Sequence, residues 1–170
     1  MAETTPPPGM DLRAIVAVSR NGVIGVDGGL PWKIPSDERY LRENVRGGAV
    51  IEGRRCYESR NGGFPGALRT VVVSSRRGWS PLGAERVSSL AEAYASLAGF
   101  ERAVWIAGGE QLYRESFLHW RALYLTLIDS EVVGDTYFPD WCERYTRELM
   151  RREGVENGWS YSFLVLAPGR

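Results

Sequence analysis

The stretch IGVDGGLPWKIPSDERYLREN, Ile24 to Asn44, joins a glycine-rich loop to a helix, and the rest of the chain is arranged around it. Pro35 suits the first helical position, where its missing N–H would have had no partner. The helix dipole favours an acid in the first turn, and Asp37 stands there. Asp37, Leu41 and Val45 are spaced by four, so they share one helix face. That face is apolar apart from Asp37. A lone carboxylate on an apolar face is costly when it is charged and unpaired. On the residues alone it reads either as a capping acid or as a group that needs a partner or a ligand. The spacing predicts a helix from 35 to about 45, preceded by a long mobile loop over 21–33. Loops of this length in small domains are often lids.

Upstream, Leu12 to Val18 (LRAIVAV) is a near-continuous apolar run and reads as a buried strand. Residues 1–10 are a Pro-rich lead that is expected to be disordered, leaving one domain over 11–170. The lead has no apolar run of the kind a secretory signal carries, so a cytoplasmic location is expected. Downstream, buried strands are expected at 49–51, 70–73, 103–107 and 123–128. Helices are expected to open at Arg54 and Glu110, and at Ser89, where Glu92 completes a capping box. Residues 76–88 read as loop, and 144–150 with 161–166 as a terminal hairpin whose loop spans 153–158. Strands alternating with helices give an α/β fold: a single central mixed, mainly parallel sheet with an antiparallel C-terminal edge, flanked by helices.

Composition narrows the function classes. The 170 residues are 44% hydrophobic and 25% charged, with a formal net charge of zero. That balance gives no footprint for nucleic acid, and no run approaches a membrane helix. One histidine and two cysteines give neither a metal cluster nor a disulfide framework, so no metal is expected.

Two stretches carry anion-binding chemistry. In Ile106 to Tyr113 (IAGGEQLY), a strand runs through two glycines into a helix. Glycines there let backbone N–H groups approach a phosphate. In Gly53-Arg54-Arg55-Cys56, arginines at a helix start oppose the dipole, and an anionic partner would offset that.

The ordered set Leu30-Pro31-Trp32, Asp37, Gly53-Arg54-Arg55, Ser74-Ser75, Ala107-Gly108-Gly109, Leu125-Thr126 and Gly134-Asp135-Thr136 resembles the dihydrofolate reductase family, from about Asp11 to Leu166. The resemblance implies the same mixed sheet with four helices, and a small-molecule substrate, dihydrofolate or a dihydropterin, bound by a monomer. It implies NADPH-dependent reduction of 7,8-dihydrofolate to 5,6,7,8-tetrahydrofolate, with hydride passing from nicotinamide C4 to pterin C6 and water protonating N5. Asp37 would accept hydrogen bonds from the pterin 2-amino group and N3. Thr126 would bond that acid, Trp32 would fix a nearby water, and Tyr113 would lie near nicotinamide and pterin. The resemblance assigns Val16, Ala17, Leu30, Leu41, Phe64 and Ala107 to substrate walls. To the cofactor it assigns Ala17, Ile24, Gly25, Leu30, Gly53, Arg54, Arg55, Cys56, Val73, Ser74, Ser75, Ala107, Gly108, Gly109, Glu110, Gln111, Leu112 and Tyr113. Its Gly-Gly bond is typically cis, and Gly134-Asp135 would support the lid.

Several positions depart from the family pattern. Cys56 stands where threonine is usual. Ala67 or Leu68 stands where an arginine holds the glutamate tail of folate, which leaves Arg69 or Arg60 for that task. Glu52 replaces an apolar residue and needs a partner, with Arg55 or another local arginine available. A same-fold reductase of an unglutamylated dihydropterin or of a riboflavin-pathway pyrimidine, and a non-catalytic pterin- or nucleotide-binding protein, remain as alternative readings.

Overall fold

The structure is a computed structural model that describes residues 4–170. Its main sheet has eight strands in the order β5-β4-β3-β6-β1-β7-β10-β9. These are β1 Leu12–Ser19, β3 Ala49–Gly53, β4 Arg69–Val73, β5 Glu85–Val87, β6 Val104–Ile106, β7 Ala122–Ile128, β9 Arg147–Glu156 and β10 Trp159–Ala167. From β5 to β7 every pairing is parallel, and β10 then pairs antiparallel with both β7 and β9. The mixed sheet with an antiparallel C-terminal edge is therefore as expected.

Helices α1 Pro35–Val45, α2 Arg54–Ser59, α3 Leu90–Ser96 and α4 Glu110–Ser116 flank it. Helix α3 starts as its capping box predicts: the Glu92 N–H donates to Ser89 Oγ at 3.1 Å, and the Ser88 N–H donates to Glu92 Oε2 at 2.7 Å. Strand alternation sorts the core into two layers. Leu12, Ala14, Val16 and Val18 pack with Leu90, Tyr94, Leu97, Leu112 and Tyr113 on the face that α3 and α4 cover. Ile15 and Val50 face the other way, with Val45 of α1, Phe64 and Trp105. Full burial of each Leu, Ile or Val is worth roughly 1.5–3 kcal/mol, so both layers contribute heavily.

Three expectations need correction. The loop over 21–33 contains a strand, β2 Val23–Gly25, which pairs with β8 Thr136–Tyr137 in a separate two-stranded sheet. The loop over 76–88 ends in β5. Both strands are too short to show a period. The terminal hairpin closes at Asn157-Gly158 alone, not over 153–158. Both residues have positive φ (51° and 80°), as a two-residue turn that follows strand twist requires. Strand β9 forms one sheet edge, where Arg147, Glu148, Arg151 and Glu153 and an extra residue at Leu149 discourage further pairing.

Of the N-terminal lead, residues 1–3 lie outside the described residues. Met10 is buried against the core, and its N–H donates to the Pro7 carbonyl.

Candidate active site

The parallel strands β3, β4, β6, β1 and β7 all end on one side of the sheet, where α/β proteins bind ligands. Thr126 on β7 stands opposite Ala17 of β1. Its Oγ1 donates to Asp37 Oδ1 at 2.6 Å, tying the first turn of α1 to the centre of the sheet. Helix α1 begins with Pro35 in its first turn and no side-chain cap, so Asp37 is not spent on capping its own helix. Burial pushes the Asp37 carboxyl up to about 6, while the Thr126 bond opposes that rise and Glu38 adds to it. Thr126→Val keeps the shape and removes the donor. It is expected to raise the Asp37 pKa above that of the native chain, read by carboxyl carbon chemical shifts against pH. An unmoved titration would contradict the role assigned to Thr126.

Trp32 is buried in a cluster with Ile34, Ile128, Tyr161 and Phe163, and its Nε1 has no protein partner among the described residues. A buried donor of that kind calls for a water or a ligand. Tyr113 is buried on α4, and its hydroxyl donates to the Ile15 carbonyl at 2.7 Å. Burial holds its pKa well above the usual phenol value, and the charges of Asp37 and Arg60 both reach it.

At the end of β3 and just after β6, Gly53, Gly108 and Gly109 pack backbone on backbone. The Gly53 N–H donates to the Gly108 carbonyl at 2.8 Å, and the Gly108-Gly109 bond is cis. A Cβ on Gly108 would lie 3.1 Å from Cys56 Sγ, and one on Gly53 would lie 3.7 Å from the Gly109 nitrogen. Helix α4 starts directly after this crossing with no side-chain cap. Ser74 and Ser75 follow β4, next to Arg54, which follows the adjacent β3. Arg54 pairs with Glu58 at 2.7 Å, and Arg55 and Ser75 are exposed. These glycines and flanking polar groups fit a dinucleotide phosphate.

The lid is latched. Asp135 Oδ2 accepts the Asp27 N–H at 2.9 Å, and the Asp135 N–H donates to the Gly25 carbonyl at 3.1 Å. The Asp27 N–H, with the Thr136 hydroxyl donating to Oδ1 at 2.8 Å, holds the Asp135 carboxyl below its usual pKa. Asp135→Ala is expected to lower kcat several-fold with almost no change in thermal midpoint. A large drop in midpoint with kcat preserved would show a stability role instead.

Several expected residues sit elsewhere. Val16 packs in the α3–α4 layer, whereas Ile15 and Ala17 face α1. The period of two on β1 puts Ile15 on the opposite face from Val16. Leu30 is 52% exposed on the lid. Arg69 points away from Asp37: its Nε donates to Glu85 at 3.1 Å and its Nη1 to the Ser96 carbonyl at 2.9 Å. Leu41 and Phe64 both belong to the α1 layer. Ala107 packs there too, and Ile24 and Val73 pack against the other layer. Glu110 and Gln111 bond along their own helix, to Arg114 and Glu115.

Comparison with known proteins covers nearly the whole molecule. The family model for dihydrofolate reductase matches residues 11–167. The chain is 38% identical to the type 3 dihydrofolate reductase of Salmonella typhimurium, over 95% of this chain and all of that one. It is 35% identical to the dihydrofolate reductase of Haemophilus influenzae, over 92% of this chain and 98% of that one. Among solved structures, dihydrofolate reductase from Enterococcus faecalis, complexed with NADP(H) and RAB-propyl, superposes with a TM-score of 0.84 at 27% identity. That superposition covers 95% of this chain and 98% of the other. With matches that run from the first strand of the sheet to the last, the chain belongs to the dihydrofolate reductase family.

Proposed function

We propose that this chain reduces 7,8-dihydrofolate to 5,6,7,8-tetrahydrofolate with NADPH. The observation that carries the reading is that the Asp37–Thr126 pair and the Gly53/Gly108-Gly109 crossing meet at Tyr113: the Asp37 charge reaches its phenol, and a Cβ on Gly108 would lie 3.6 Å from it. NADPH supplies the hydride, and the protein's task is orientation and electrostatics. Gly53, Gly108 and Gly109 admit the pyrophosphate and nicotinamide, and Arg54, Arg55, Ser74 and Ser75 hold the adenosine end. Asp37 accepts from the 2-amino group and N3 of the pterin. Its charge raises the basicity of N5, which water protonates, and the buried Trp32 N–H orients such a water. Ile15, Ala17, Leu41 and Phe64 wall the pterin and its arm, and the latched lid excludes bulk water. We further propose a monomer working in the cytoplasm.

Coenzyme oxidation tests the reading. The chain is expected to consume one NADPH for each tetrahydrofolate formed, and to use NADH at least about tenfold less well, because arginines pair strongly with a 2′-phosphate. Folded protein that binds both ligands without oxidising NADPH would leave only a binding protein.

A further inference from the structure

Glu52 is wholly buried on β3. Alternation places it on the same sheet face as Val50, which packs with Ile15, Val45 and Phe64 beneath α1. A carboxylate taken out of water needs a cation close by. That cation is Arg60, directly after α2, which makes an ion pair with Glu52. The Arg60 guanidinium carbon lies 3.9 Å from the centre of the Phe64 ring. Its charge also reaches Tyr113, which in turn feels Asp37. Burial lowers the Arg60 pKa to about 10, so it stays charged at neutral pH.

A guanidinium is a flat fork with five N–H donors. Glu52 engages it through Nη2, and its buried Nε has no partner among the described residues. The side chain keeps 29% exposure. Nε and Nη2 are both sealed from solvent, so Nη1, beside the Phe64 ring, is the end of the fork left for an arm extending from the pterin. Other cations are placed less well. Arg69 is committed to Glu85 and Ser96 on the opposite face. Arg46 is exposed at the rim and packs along Gly66, where an added Cβ would stand 3.2 Å from its Cγ.

We propose that Glu52 positions Arg60 to bind a carboxylate on the arm of the substrate, so that this pair sets a preference for carboxylated dihydropterins. The proposal rests on the dihydropterin reading above. Arg60 makes the contact and Glu52 is a positioning residue. Because the pair is neutral overall, recognition comes from short directional hydrogen bonds rather than long-range attraction. It should therefore depend only weakly on salt, unlike recognition by an exposed arginine.

The test compares dissociation constants, by quenching of tryptophan fluorescence, for dihydrofolate and for 6-methyl-7,8-dihydropterin, which has no arm. Removing Arg60 alone would strand a buried charge, so the main variant is the double replacement Glu52→Met with Arg60→Ile. It is expected to weaken dihydrofolate binding relative to the armless pterin by at least about tenfold. Glu52→Gln, which loosens the guanidinium without removing it, should shift the ratio the same way by a smaller factor. Should the double variant fail to fold, Arg60→Lys reads the same ratio, because it keeps a charge for Glu52 and loses the fork. An unchanged ratio, or both constants rising together, would overturn the proposal. So would a loss that appears with Arg46→Ala instead. Dissociation constants need no turnover, so failure to oxidise NADPH would count against the reductase reading and not against this pair.

Discussion

Replacing Gly108 by alanine is expected to weaken NADPH binding by about ten- to hundredfold, with the sheet intact. Two features of the structure combine there. Gly108 has φ of +113°, which residues with a Cβ rarely adopt, and its new Cβ would stand 3.1 Å from Cys56 Sγ. A residue held in so sparse a region costs on the order of 1–3 kcal/mol. Cys56 is itself packed, since α2 holds it directly after the Gly53 crossing. Moving the Gly108 backbone to relieve the contact would pull its carbonyl off the Gly53 N–H, from which it accepts at 2.8 Å. That movement deforms the surface proposed to receive the cofactor. The double variant with Cys56→Ala separates the two causes. It should recover the part of the loss that comes from the sulfur and leave the part that comes from φ. NADPH affinity by calorimetry is the readout. If Gly108→Ala bound the cofactor as tightly as the native chain, the crossing would not be the cofactor surface.

Asp37→Asn is expected to cost at least about a hundredfold in kcat/KM for dihydrofolate, the scale on which a positioned acid acts. The same change should stabilise the fold at neutral pH. The Asp37 pKa is raised from 3.8 to about 6, chiefly by burial. A carboxyl raised on folding binds its proton more tightly in the folded state. Stability from this group is therefore greatest at pH 4 and below, falls between about pH 4 and 6, and stays reduced above 6. The shift corresponds to about 2–3 kcal/mol at neutral pH, an upper figure because Asp37 retains some contact with solvent. An asparagine carries no charge to desolvate, and its amide oxygen still accepts from Thr126. Urea unfolding at pH 7.5 and pH 4 should show the variant ahead of the native chain at the first pH and level with it at the second. Equal stability at both would mean that the acid is not held against its preference.

How far the residues alone led depends on whether the controlling interaction was local. The α1 start was legible because Pro35 and Asp37 each bear on one helix turn. The α3 start was legible because Ser89 and Glu92 form their bonds within four residues. The glycine crossing was legible as a motif, although the contact between Gly53 and Gly108 joins separate strands. The turn at Asn157-Gly158 carried its own signal, a dipeptide suited to positive φ at both positions, but the loop was read too long. The layer of Arg69 was also within reach. It shares a face with Val71, which packs in the α3–α4 layer, so strand period alone turns it from Asp37. Two features were not legible. Strands β2 and β5 exist only because β8 and β4 lie beside them, and three residues show no period. The partner of Glu52 was open among several arginines, because Arg60 meets β3 only after α2 has folded back over it.

The central claim is that this cleft passes a hydride from the nicotinamide to the pterin. A single turnover with NADPH deuterated at the transferring position of C4, mixed with enzyme and 7,8-dihydrofolate, tests it most directly. The account predicts one deuterium at C6 of tetrahydrofolate, formed at a rate slowed by the isotope and matching coenzyme oxidation. Coenzyme oxidation that leaves no deuterium in the pterin, or none at all in folded protein that binds both ligands, would contradict it.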